Sequence, residues 1–86
     1  MIEMIWKRIV DNEGEIFKQI RGKEFSYQVF GNAISLSTTN HQVPKSQFEK
    51  ALKFVPLVNT TEIQHLRAPS YIFAILMDQR IKQNNW

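Results

Sequence analysis

The sequence predicts an α+β fold in which helices cover one face of a three-stranded antiparallel meander, in the order α-β-β-β-α-α-α. Three observations carry this. The hydrophobic period is helical over residues 2–12, switches to two between Glu15 and Thr38, and returns to helical after Pro44. Gly31-Asn32 sits between two alternating segments and is a two-residue hairpin signal. The run Tyr71-Ile-Phe-Ala-Ile-Leu-Met77 carries no polar group except the tyrosine hydroxyl. A helix there is apolar on every side and must be buried on most of them. It is shorter than the roughly 20 apolar residues a bilayer requires, so no membrane span is expected.

The elements follow in order. Residues 2–12 place Ile2, Ile5, Trp6 and Ile9 on one helical face, which assigns Trp6 to the core. Glu3 and Lys7 form an i,i+4 pair, and Gly14 is suited to a left-handed stop. Ile16–Ile20, Phe25–Phe30 and Ala33–Ser37 alternate as three strands. The Gly31-Asn32 turn sets Phe30 opposite Ala33 and Tyr27 opposite Leu36. One face then collects Phe25, Tyr27, Val29, Ile34 and Leu36, and the other Ser26, Gln28, Ser35 and Ser37. A first hairpin with Gly22-Lys23 as its loop sets Ile20 opposite Phe25 and Ile16 opposite Val29. Lys18 then leans inward on an edge strand.

Thr38 to Pro44 reads as a polar connection, and Pro44 opens a helix whose Ser46 and Glu49 have capping-box spacing. Phe48, Ala51, Leu52 and Val55 form its inner face, and Pro56 ends it. Asn59 caps a short helix through Leu66. Pro69 opens the long apolar helix, which runs over residues 70–81. The tail ending in Trp86 is expected to fray.

Composition bounds the function. Residues 1–86 suit one small domain. The 43% hydrophobic content argues against disorder. With no cysteine there is neither a disulfide scaffold nor a zinc-thiolate site. The N-terminus lacks a signal-peptide pattern, so a cytoplasmic location is expected. A net charge of +3 comes from scattered residues and lends nucleic-acid binding little weight.

No residue pattern supports catalysis, and the chain reads as a non-enzyme without a cofactor. His41 and His65 are far apart in sequence, with no carboxylate at ligand spacing, so no metal site is expected. Ser70 has no evident base, and the isolated glycines form no phosphate loop. Asp11, Glu13 and Glu15 read as a solvated helix end and loop.

Three binding readings remain. Arg67, Ser70 and Tyr71 at the start of the apolar helix could converge on a phosphate or carboxylate, although capping accounts for them without a ligand. Arg21, Lys23, Lys45, Lys50 and Lys53, with the serine and glutamine face of the sheet, could track nucleic-acid phosphates. A helix–break–helix over residues 60–81 has the topology of a helix-turn-helix but lacks polar side chains to read bases. Surplus apolar surface at Tyr71, Phe73 and Met77 could pair with itself in a homodimer or take a protein partner. The first-ranked function is therefore a small interaction module that self-associates through its C-terminal helix. Nucleic-acid binding is the alternative.

Overall fold

Helix α1 (Ile2–Asp11) turns Ile5, Trp6 and Ile9 into the core, as its helical spacing predicts. The computed structural model describes all of residues 1–86. After α1 come β1 (Phe17–Lys18), β2 (Glu24–Phe25), β3 (Tyr27–Phe30), β4 (Ala33–Leu36) and β5 (Gln42–Pro44). Helices α2 (Lys45–Ala51), α3 (Pro69–Leu76) and α4 (Gln79–Lys82) complete the chain, with 3-10 turns at Leu52–Phe54 and Thr61–Ile63. The fold class is α+β, with an antiparallel sheet in the order β3-β4-β5 and a separate β1-β2 hairpin. No helix is long and apolar enough to cross a membrane.

The hairpin around Gly31-Asn32 has the register the turn dictates. Tyr27 faces Leu36, Val29 faces Ile34 and Phe30 faces Ala33. Gly31 takes φ +58, the left-handed conformation such a turn demands. Phe25, Tyr27, Ile34 and Leu36 are buried, and Ser26, Gln28 and Ser35 lie on the other side with partial or full exposure.

The membership of the sheet differs from expectation. Its third strand is Gln42–Pro44, within the segment expected to be a polar connection. Val43 is fully buried opposite Ile34, and Lys45 donates its amide to the Asn32 carbonyl at 2.7 Å, extending the ladder. One apolar residue between polar neighbours leaves almost no period-two signal.

The first expected strand is displaced because β3's outer edge is already filled. Gly14 donates its amide to the Tyr27 carbonyl at 3.0 Å, and the Glu13 carboxylate accepts the Val29 amide at 2.7 Å. The turn after α1 thus satisfies the backbone groups that Ile16–Ile20 would have taken. That segment pairs instead with Glu24–Phe25, setting Phe17 opposite Phe25 and Lys18 opposite Glu24. Phe17 stands three positions before Ile20, and an odd shift exchanges the two faces. Phe17 is 1% exposed, whereas Ile16 and Ile20 are 53% and 61% exposed. Its ring lies 6.0 Å from Phe25 and 5.5 Å from Tyr27, with the Arg80 guanidinium 4.2 Å from its centroid. Lys18 points outward rather than inward.

Tyr27 ties the sheet to α1. Its hydroxyl, fully buried, donates to the Ile9 carbonyl at 2.6 Å. Burial pushes the phenol well above its ordinary value of 10.0, against a smaller opposing pull from Arg80. The folded state therefore holds Tyr27 neutral. Its contribution is fully present below the unfolded phenol's value near 10 and is lost as pH rises through and beyond it. Chemical denaturation across alkaline pH should show a decline above about pH 10 that is shallower in Tyr27→Phe. At neutral pH the same substitution should cost about 1–2 kcal/mol, because the Ile9 carbonyl loses its partner. An unchanged alkaline slope would refute the assignment.

The helices differ in detail. Pro44 is the N-cap of α2, and no side chain caps that helix, so the Ser46–Glu49 capping box does not form. Glu3 pairs with Lys45 (2.9 Å) rather than with Lys7, which pairs with Asp11 (2.7 Å). The Asn59 side chain accepts the Thr61 amide at 2.8 Å, but the helix expected through Leu66 is one 3-10 turn whose N-cap is Thr60 rather than Asn59, with no side-chain cap. The long apolar helix is broken in two. Asp78 leaves the helix with ψ 138 and caps α4, accepting from the Arg80 amide and guanidinium. Arg80 in turn holds the Asp78 carboxyl below its usual range. The tail is docked rather than frayed. Trp86 donates its indole N–H to the Leu76 carbonyl at 3.0 Å, and Arg8 reaches the Ile81 carbonyl and the Asn85 side chain.

Candidate functional site

Breaking the apolar helix at Met77 decides which of its residues are covered. Ile72, Ala74, Ile75 and Leu76 are buried, whereas Tyr71, Phe73 and Met77 are half-buried. Phe73, Ala74 and Met77 line an open groove whose other wall is built from Ile16, Lys18, Ile20 and Glu24 of the first hairpin. Asp78 and Arg80 also line the groove. The outward rotation of Ile16 and Ile20 creates this wall. Sequence reasoning placed both inside, and the competing apolar residue at Phe17 was the available signal that one of the two sets must face out.

Of the three expected interface residues, Phe73 and Met77 share the groove. Tyr71 does not line it: its ring meets Phe25 edge-on at 4.8 Å, and its hydroxyl pairs with the Thr38 hydroxyl at 2.8 Å. The Met77 sulfur also accepts the Leu57 amide at 3.4 Å, which orients it at the groove floor.

Arg67, Ser70 and Tyr71 are distributed over different surroundings. Ser70 lines a cleft with Gln19, Ile20, Arg21 and Thr60. Arg67 lines another with His41, Pro44, Gln47, His65, Leu66 and Ala68. The amides of Tyr71 and Ile72 both donate to the Ala68 carbonyl, so the first turn of α3 offers few free donors. The structure thus joins Arg67 to both histidines, which sequence spacing had separated. No group of three or more histidine, cysteine, aspartate or glutamate side chains could hold a metal ion.

The basic residues are likewise dispersed. Lys45 is engaged by both carboxylate oxygens of Glu3. Arg21 and Lys23 are exposed in the loop joining β1 to β2, and Lys50 and Lys53 are exposed on and just after α2. None of these four forms an ion pair. Comparison with family models, curated proteins and solved structures finds no match to the chain.

Proposed function

We propose that this chain is a small, non-enzymatic intracellular interaction module that self-associates through the groove between the first hairpin and α3. The observation that carries the reading is the exposure of two isoleucines in a groove that also holds four charged side chains. Ile16 and Ile20 stand more than half exposed opposite Phe73 and Met77. Leaving such a surface in water forfeits about 25 cal/mol for each Å² that association would cover. The charges lining the groove are matched within the chain, Arg80 with Asp78 and Lys18 opposite Glu24 across the hairpin, so a second copy meets a surface of no net charge.

Light scattering after size exclusion, at low and high salt and with a short mixed-sequence duplex, tests this. A salt-resistant dimer that ignores the duplex is expected, because apolar burial is not screened. A monomer at all accessible concentrations would refute it.

The alternative, largely non-specific nucleic-acid binding, draws on the unpaired Arg21, Lys23, Lys50 and Lys53. It predicts a complex with the duplex that dissociates steeply with salt and weakens in Arg21→Ala and Lys23→Ala.

A further inference from the structure

We propose that the cleft lined by His41, Gln47, His65 and Arg67 binds a dianionic tetrahedral oxyanion, the terminal group of a phosphate monoester. This inference is independent of self-association. Three exposed basic side chains from two segments of the chain, His41 on one and His65 and Arg67 on the other, line the cleft, and no aspartate or glutamate lines it. His41 precedes β5, Gln47 lies on α2, and His65 and Arg67 lie between the second 3-10 turn and α3. Arg67 is left uncompensated. Its guanidinium makes one long contact, 3.4 Å to the Gln42 carbonyl, and has no carboxylate in ion-pair range. Arg80, by contrast, is committed to Asp78.

The cleft's backbone is fixed rather than loose. The Gln47 side chain accepts the Arg67 amide at 2.8 Å. Ala68 holds φ +50, a left-handed conformation that costs a residue with a Cβ on the order of 1 kcal/mol. The His65 ring packs edge-on to Phe54 at 6.0 Å. A planar guanidinium offering paired N–H donors, beside two imidazoles, suits an oxyanion with several acceptor oxygens.

Arg67 is the one arginine or lysine that lines the cleft, and the nearby Lys45 is already engaged by Glu3.

The test is a titration of the full chain with sulfate, followed by amide NMR shifts. The expected result is saturable shifts centred on His41, Gln47, His65, Arg67 and Ala68. Arg67→Met should weaken binding about tenfold or more. The double variant His41→Gln/His65→Gln should weaken binding less than Arg67→Met does, because the guanidinium supplies the paired donors. Lys50→Met and Lys53→Met should leave the shifts in place. Shifts absent from the cleft, or binding unchanged in Arg67→Met, would overturn the proposal. So would equal loss in the lysine variants, which would mean general electrostatic attraction. Inorganic phosphate, O-phosphoserine and ribose 5-phosphate then separate the sources. Tighter binding of either ester assigns the cleft to a phosphorylated side chain or to a sugar phosphate, and equal binding assigns it to the free ion.

Discussion

Phe17→Ala is expected to lower the unfolding free energy by about 3–5 kcal/mol, whereas Ile16→Ala and Ile20→Ala should each cost no more than about 1 kcal/mol. The contrast follows from the hairpin register. Phe17 packs between Phe25, Tyr27 and the Arg80 guanidinium, so its removal opens a cavity and strips an aromatic cluster. Ile16 and Ile20 keep more than half their surface in water and leave little void when truncated. A domain of this size commands roughly 5–15 kcal/mol in total, and fewer than 40% of its unfolded contacts with water persist. Phe17→Ala should therefore sit close to the folding limit. Urea unfolding of the three variants gives the answer, and the reverse ranking would restore the register in which Ile16 and Ile20 face the core.

Ile20→Asp is expected to weaken self-association by about 30-fold or more, the effect of losing roughly 2 kcal/mol at an interface centre. The same change should leave monomer stability within about 0.5 kcal/mol, because the residue is exposed and lies beyond the strand. The loss arises because the interface would have to desolvate a carboxylate against Phe73 and Met77, and the groove's cations are already matched by Glu24 and Asp78. Sedimentation over a concentration series reads the association, and denaturation of the same sample reads the fold. A variant that associates as tightly as the parent would move the interface elsewhere. Val58, Met1 and Phe30 are the other large apolar side chains more than half exposed, at 86%, 66% and 64%.

What the sequence made legible tracks how far each interaction is local. The Gly31-Asn32 hairpin was readable residue by residue, because a two-residue turn and a period-two pattern fix the same register. The core face of α1 is also local, whereas α2 was expected to run to Pro56 but ends at Ala51 and tightens into the 3-10 turn Leu52–Phe54. The third strand was hidden because Val43 contributes a single inward residue. The first hairpin failed for a non-local reason: Glu13 and Gly14 occupy the β3 edge, and nothing in Ile16–Ile20 announces that its expected partner is taken. Asp78 held the clearest missed signal. An aspartate directly after an apolar run and two residues before Arg80 favours a cap, and here it ends one helix and starts another.

The proposed surfaces were legible in part. The all-round apolarity of their helix singles out Phe73 and Met77, but the opposing wall of Ile16 and Ile20 depended on the misread register. Arg67 was grouped along the chain with Ser70 and Tyr71, whereas it lines a cleft with the neighbouring His65 and with His41, which lies on a segment no sequence pattern joins to it.

The central claim is that a second copy covers the groove, and an isotope-filtered NOE measurement on a mixed labelled and unlabelled sample tests it most directly. Intermolecular contacts from the Ile16 and Ile20 methyl groups to the Phe73 ring and the Met77 methyl are the expected result. A dimer whose intermolecular contacts avoid all four residues, or a sample with no intermolecular contacts at concentrations well above those used for scattering, would contradict it.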